Sequence, residues 1–345
     1  MLDNSQRISE IDKGNALGVA EKQWQQLHHA YDVSFNARGK ILNVVLGGMG
    51  GSALPAVFLK SWPGLNVPFE IVRDYTLPGY VDASTLYIAS SYSGTTEEAL
   101  SAMDEAEERG AQIVVIAACG TLAERAEKAG YPLFRIPTGV QPRMSSFYFL
   151  AAFVQLFEPL GLIPENSIKE MDSAADWLST QVAVWLPSSA AEDNRAKQLA
   201  EKIVGKSVVM YSGPNLFPAA NKWKICMNEN AKNIAWVNQL PEFNHNEFIG
   251  WSVAPAEKPY TVIELRSHLE HPRVQRRFEV TQRLLAGKRP EPEIVNVEGD
   301  TMLQQLLWAS SLGDFTSIYV ALLNGIDPTP VDLVEQFKKE LGRPS

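Results

Sequence analysis

From residue 41 to residue 136 the chain repeats one pattern: a short apolar run, a polar turn, then an amphipathic stretch. Ile41-Leu42-Asn43-Val44-Val45-Leu46 leads through Gly47-Gly48-Met49-Gly50-Gly51-Ser52 into a helical segment from Ala53 to Lys60. Phe69-Glu70-Ile71-Val72 reads as a short strand. Leu86-Tyr87-Ile88-Ala89 is a strand that enters Ser90-Ser91-Tyr92-Ser93-Gly94-Thr95-Thr96-Glu97, which opens a helix reaching Arg109, with Gly110 as its stop. Gln112-Ile113-Val114-Val115-Ile116-Ala117-Ala118 is a continuous apolar run, as in a strand covered on both faces. A helix over 121–129 and a strand over 132–136 follow. Strands alternating with helices predict a doubly wound parallel sheet. In such sheets ligands bind at the carboxyl ends of the strands, where both polar turns fall.

The same rhythm resumes at Ser207-Val208-Val209-Met210-Tyr211, followed by the turn Ser212-Gly213-Pro214 and a helix from Phe217 to about Asn233. Strands over 260–265 and 293–297 alternate with helices over 271–287 and 301–324. The expected plan is therefore an N-terminal helical segment (1–40, with Leu17, Ala20, Trp24, Leu27 and Tyr31 at helical spacing) and a first α/β domain (41–150). A helical connection (151–206), a second α/β domain (207–330) and a C-terminal helix (331–345) complete it.

Composition removes several classes of function. A net charge of −9 argues against a dedicated nucleic-acid binder, though not against a small anionic ligand held by local loops. The 2 cysteines, Cys119 and Cys226, are far apart and in no metal-like spacing, which fits a reducing compartment and no structural metal. The first residues lack a basic then apolar leader, and no apolar run is expected to reach the ~20 residues of a membrane helix. A cytoplasmic protein without a membrane partner is the expectation.

Ser91, Ser93 and Thr96 stand where a strand hands over to a helix, and Gly51 and Ser52 stand at the equivalent place after the first strand, 41–46. Short hydroxyls there have two uses. They cap the helix, satisfying its first N–H groups, or they join those N–H groups and the helix dipole in holding an anion, for which phosphate is the natural guest. A dinucleotide is disfavoured, because the first turn lacks G-x-G-x-x-G spacing and no acidic residue follows to mark a ribose.

The pair Gly50-Gly51-Ser52 and Ser91-Tyr92-Ser93-Gly94-Thr95-Thr96-Glu97 resembles the sugar isomerase (SIS) domain. Pro142-Arg143, Asn228-Glu229-Asn230, Glu242-Phe243-Asn244-His245-Asn246-Glu247 and the ending Gly325-Ile326-Asp327-Pro328-Thr329-Pro330-Val331 narrow the likeness. Over almost its whole length the chain resembles the bifunctional phosphoglucose/phosphomannose isomerase family. That resemblance implies two tandem SIS domains, a hexose 6-phosphate substrate, no cofactor and a homodimer. It also implies a place in glycolysis and gluconeogenesis.

Interconverting an aldose and a ketose 6-phosphate moves one proton between C1 and C2 through an enediol(ate). The resemblance gives the phosphate to Gly51, Ser52, Ser91, Ser93 and Thr96, and proton transfer to Glu229. A carboxylate suits that role when partial burial brings its pKa toward working pH. His245 takes ring opening, since an imidazole titrates near neutrality, and in the family it comes from the neighbouring subunit. Arg143 faces the developing enediolate as a fixed cation. Lys338 matches the family's C-terminal lysine, with Lys339 adjacent, and Thr329 is the nearest candidate for the threonine that leaves room at C2. Two other readings stand beside this one. The first is a non-catalytic SIS-domain sensor of phosphosugars, which has no use for an acid–base pair. The second is an isomerase of another sugar phosphate, in a class whose members are usually single-domain chains.

Overall fold

The computed structural model describes residues 1–252 and 259–342. It contains two parallel α/β sheets, and the chain divides into two compact units: Gln23–Asp176, and Met1–Lys22 together with Trp177–Gly342. The first 22 residues thus group with the second sheet, and the 151–206 connection is shared between the units.

The unit of residues 23–176 holds strands β1 (Asn43–Gly48), β2 (Phe69–Val72), β3 (Thr85–Ser91), β4 (Gln112–Ala117) and β5 (Leu133–Arg135), in the order β2-β1-β3-β4-β5. All neighbours are parallel, with Leu46 beside Ile88 and Ile88 beside Val114. Each of the first turns feeds a helix: α3 (Gly50–Phe58) after β1, α4 (Glu97–Glu108) after β3 and α5 (Gly120–Ala129) after β4, with α6 (Ser146–Phe157) closing the unit. Val45, Tyr87, Ala89, Val115 and Ala117 on the sheet pack with Ala99, Met103, Leu122 and Ala126 on the helices. The order reverses direction between β1 and β3, so the turns after those two strands flank the switch point of the sheet.

In the other unit, α1 (Ser5–Ile11), α2 (Ala16–Lys22), α7 (Ser167–Val182, whose last turns lie here) and α8 (Arg195–Ile203) accompany a four-stranded sheet. Its strands are β6 (Ser207–Ser212), β7 (Ala235–Gln239), β8 (Tyr260–Arg266) and β9 (Glu293–Asn296), ordered β7-β6-β8-β9 and all parallel. The helices between and after them are α9 (Phe217–Glu229), α10 (Glu247–Ser252), α11 (Pro272–Leu285), α12 (Met302–Leu323) and α13 (Asp332–Leu341). Tyr211 and Val262 on this sheet pack in one cluster with Leu240, Phe243, Val274 and Phe278 from the turns and helix beside it.

Three expectations change. Residues 1–40 are not helical throughout: beyond a 3₁₀ turn ending at His28 the backbone is irregular. Side chains replace the helical ladder there, with Gln155 Oε1 accepting the Tyr31 N–H at 2.9 Å and Gln112 Oε1 accepting the Arg38 N–H at 2.7 Å. Strand β7 is an edge strand that the apolar pattern concealed, because Trp236 is exposed and Asn238 and Gln239 are polar. Finally, Met302–Leu323 is 22 residues long and apolar enough to cross a membrane, contrary to expectation. Its most apolar window is 94% buried in the structure, which marks it as a core helix.

Candidate functional site

The polar turns of the first sheet meet at its switch point. Ser52, buried on the first turn of α3, accepts the Tyr92 N–H on Oγ at 2.9 Å, and its main-chain oxygen accepts from Ser90 Oγ at 2.9 Å. A hydroxyl that accepts still has its own proton to donate. Ser91, buried at the end of β3, has its Oγ 2.7 Å from Thr96 Oγ1 and 3.5 Å from Ser93 Oγ. The Gly94 N–H donates to Ser91 Oγ at 3.1 Å. Thr96 occupies the N-cap of α4 but its side chain makes no capping bond, and the N-cap of α3, Met49, makes none either. The hydroxyls are gathered on one another instead of on the helix ends. The first N–H groups of both helices have no intrahelical acceptor by construction, and both helices direct their positive ends at this cluster.

Backbone packing holds the turn in shape. Gly94 has φ +66°, and a Cβ there would lie 1.7 Å from the Cys119 carbonyl oxygen, so only glycine fits. The turn after β4 is bonded to it through Ala118 N–H to Tyr92 O (3.1 Å) and Leu122 N–H to Gly94 O (2.9 Å). A Cβ on Gly51 would stand 3.0 Å from Arg143 N and from the Pro142 carbonyl group, so the 3₁₀ turn Pro142–Met144 lies directly against the start of α3. Gln26 fixes that turn by donating to Met144 O at 2.8 Å. Arg143, 2% exposed, therefore belongs with Gly51, Ser52, Ser91, Ser93 and Thr96 in one unit.

Glu229 is the last residue of α9, half-buried. Its neighbours are not a solvated surface: Cys226 and Met227 are fully buried, Asn228 Oδ1 accepts the Ala235 N–H at 3.0 Å, and Asn230 Nδ2 donates to Ser317 Oγ at 2.9 Å. Further back on the same helix, Lys222 donates to Asp314, and both are completely buried. Position 222, position 226 and position 230 thus form a polar line on α9 that meets Asp314 and Ser317 of α12. This line fixes the axial position of α9, and with it the height of Glu229.

His245 ends a 3₁₀ turn, Glu242–His245, and is exposed. The turn itself is anchored. Phe243 is fully buried, 4.5 Å from the Tyr211 ring, and Asn244 donates to Thr281 Oγ1 at 2.9 Å while accepting from Arg277 Nη1 at 3.2 Å. Glu247 completes the anchor: it accepts from the Tyr211 hydroxyl and from Asn238 Nδ2, and Trp251 Nε1 donates to Tyr211 Oη at 2.9 Å. Burial holds the Tyr211 hydroxyl far above its ordinary pKa, so it stays a proton donor to Glu247. Tyr211, Asn238 and Trp251 are structural supports that the sequence motif did not reveal.

Thr329 is half-buried, its N–H on Asp327 Oδ1 at 2.9 Å, and the oxygen of its side chain stands 2.1 Å from where a Cβ of Gly14 would be. Lys338 lies on the exposed α13 and donates to Glu335 Oε1 at 3.0 Å.

The matching crevice of the second sheet is occupied from within. Glu270, in the turn after β8 and 4% exposed, accepts the Asn215 N–H on Oε1 at 2.8 Å just ahead of α9. A Cβ on Gly213 would collide with the same oxygen at 2.2 Å. Burial raises the carboxyl's pKa, while the N–H groups of Asn215, Leu216 and His271 pull it back. The place that hydroxyls hold in one sheet is filled by a carboxyl in the other.

Residues 192–341 match the bacterial phospho-glucose isomerase C-terminal SIS domain. A bifunctional phosphoglucose/phosphomannose isomerase of Aquifex aeolicus is 34% identical over 301 residues, which cover 86% of this chain and 90% of that one. The chain belongs to the bifunctional phosphoglucose/phosphomannose isomerase family. Within a narrower stretch it is also similar to a D-glucosamine-6-phosphate 4-epimerase of Sulfolobus acidocaldarius, 36% identical over 201 residues, 58% of this chain and 61% of the relative. A solved structure of a glucose-6-phosphate isomerase like protein from Thermus thermophilus superposes with a TM-score of 0.65 at 17% identity, covering 96% of this chain and 99% of that one. That likeness supports the tandem SIS fold, which membership of this isomerase family also brings.

Proposed function

We propose that the protein interconverts fructose 6-phosphate with glucose 6-phosphate and mannose 6-phosphate, without a metal, through a cis-enediol(ate). The observation that carries this reading is the hydroxyl cluster of Ser52, Ser91, Ser93 and Thr96 at a sheet switch point, beneath two helix N-termini that those side chains leave uncapped. Family membership supplies the hexose: the Aquifex aeolicus relative is named for both glucose and mannose phosphates.

In this mechanism the hydroxyls and helix N–H groups hold the phosphate, and Glu229 carries the proton between C1 and C2. His245 opens the ring, Arg143 faces the enediolate oxygen and Lys338 assists near O1. Thr329 leaves the space in which the C2–C3 bond turns, which lets one base serve both C2 configurations. His245 acts across a homodimer interface. Its exposure supports that assignment, as do the exposed side chains of Ile249 (67%) and Trp236 (49%), on the elements that flank its turn. The reaction belongs to cytoplasmic hexose phosphate metabolism, where glycolysis and gluconeogenesis meet.

Purified protein with fructose 6-phosphate in heavy water, containing a chelator, is expected to give both glucose and mannose 6-phosphates by NMR, each carrying deuterium at C2. Saturable binding with no deuterium at C1 or C2 would replace the enzyme with a sensor.

A further inference from the structure

Lys232 sits two residues beyond the C-cap of α9 and has φ +51°, a left-handed conformation that glycine adopts with less strain. Its ammonium is surrounded by main-chain oxygens from two segments. Nζ donates to Glu229 O at 2.8 Å and Asn230 O at 3.4 Å, which are carbonyls at the end of α9. It also reaches Pro328 O at 3.0 Å and Asp327 O at 3.2 Å. A cation at a helix C-terminus is favoured by the dipole and by carbonyls that lack intrahelical donors. Here the same cation ties the residue proposed as base to the turn that immediately precedes Thr329.

We infer that Lys232 is a positioning residue for the isomerase: it sets where the Glu229 carboxylate lies relative to Thr329, and so governs both the proton transfer and the choice of C2 face. The inference rests on the isomerase reading above. Lys232 acts through the main-chain oxygens it binds in both segments. The C2 face offered to the proton depends on how the base sits relative to the space at Thr329, so loosening the tie alters the two products unequally.

The test uses the full-length protein and Lys232→Gly, Lys232→Met and Lys232→Arg. Wild type is first shown to isomerise fructose 6-phosphate; failure at that step refutes the isomerase reading and not the clamp. Lys232→Gly removes the ammonium and the left-handed strain together, so relief at φ +51° offsets part of the stability lost with the ammonium's bonds. Its kcat is expected to fall about tenfold or more, the scale of a base moved by a fraction of an ångström to an ångström. KM changes little, because the phosphate is held elsewhere. The ratio of mannose to glucose 6-phosphate formed at early times shifts, Lys232→Met behaves alike, and Lys232→Arg recovers part of the rate. Wild-type kcat and product ratio in both Lys232→Gly and Lys232→Met overturn the inference. So does a fall in both products by one common factor that follows lost melting temperature.

Discussion

Replacing Ser91 by Ala separates a capped helix start from a phosphate anchor. In the native turn Ser91 Oγ serves Thr96 Oγ1, Ser93 Oγ and the Gly94 N–H. The Gly94 N–H has a second acceptor, Ser91 O at 3.2 Å, so the substitution does not orphan it. The folding cost is therefore that of an ordinary hydrogen bond, about 1 kcal/mol. If the hydroxyl also holds the substrate's phosphate, a hydrogen bond to a charged group worth about 1.5–3 kcal/mol disappears from the bound state. At roughly 1.4 kcal/mol per factor of ten, kcat/KM falls about 10- to 150-fold. The decline falls mainly on KM, because the phosphate is bound in ground state and transition state alike. The assay is the initial rate of glucose 6-phosphate formation, read through a coupled dehydrogenase, beside urea unfolding. Ser101→Ala, which loses only a bond to Tyr75 O on the outer side of α4, serves as control. Ser91→Ala with unchanged KM and a loss of about 1 kcal/mol in stability would return this serine to a purely structural role.

Glu229→Gln keeps the size of the side chain and removes the proton acceptor, so activity is expected to fall at least about a hundredfold with substrate binding retained; full activity sinks the base. Gly94→Ala forces a Cβ onto the Cys119 carbonyl, 1.7 Å away, at φ +66°, and KM rises more steeply than in Ser91→Ala because the whole turn moves. Asp314→Ala leaves Lys222 charged and buried without its carboxylate partner, a loss of about 3–5 kcal/mol in urea unfolding. Glu270→Gln tests linkage. Burial raises the folded carboxyl above its ordinary 4.5, so the folded wild type is favoured most below that value and loses stability as pH climbs toward the raised pKa. The melting temperature of the variant relative to wild type should therefore rise from about pH 4 to about pH 7, and a constant difference refutes the shift.

The αβ alternation is plain in the sequence because buried parallel strands are written as apolar runs and their helices as amphipathic stretches. Gln112 to Ala117 is a strand buried at every position. What the pattern conceals is set by partners distant in sequence. Strand β7 is half-exposed and polar at its end, so no period of two marks it; its pairing with β6 decides its structure. Apolar spacing alone extends the N-terminal helix through residue 40, yet past His28 glutamine side chains from β4 and α6 satisfy an irregular backbone. The hydroxyl turns are legible as places, and only the bonds among Ser91, Ser93 and Thr96 set them apart from ordinary helix caps. Asn228 and Asn230 stand out in the sequence as poor surface residues beside Glu229. The structure gives them hydrogen bonds within the fold, to the Ala235 N–H and to Ser317 Oγ, which sharpens the placement of the glutamate.

The two sheets have the same switch-point plan and opposite contents, and that asymmetry bears on how many substrates one chain can hold. In the first sheet, the N-termini of α3 and α4 open on a cluster of hydroxyls, which can give protons to a dianion and carry no charge to repel it. In the second, the N–H group of Asn215 ahead of α9 already has an acceptor, Glu270 Oε1, and a Cβ on Gly213 would meet that same oxygen at 2.2 Å, so the carboxyl fills the place beside the turn. A second anion would have to displace a buried side chain and, above its pKa, a like charge. One hexose phosphate per chain is therefore expected. Calorimetry with a hexitol 6-phosphate, which lacks a carbonyl and cannot turn over, measures this directly. A stoichiometry of two would mean that Glu270 yields its place, whereas one site abolished by Ser52→Ala with Ser91→Ala, and untouched by Glu270→Gln, assigns the phosphate to the first sheet alone.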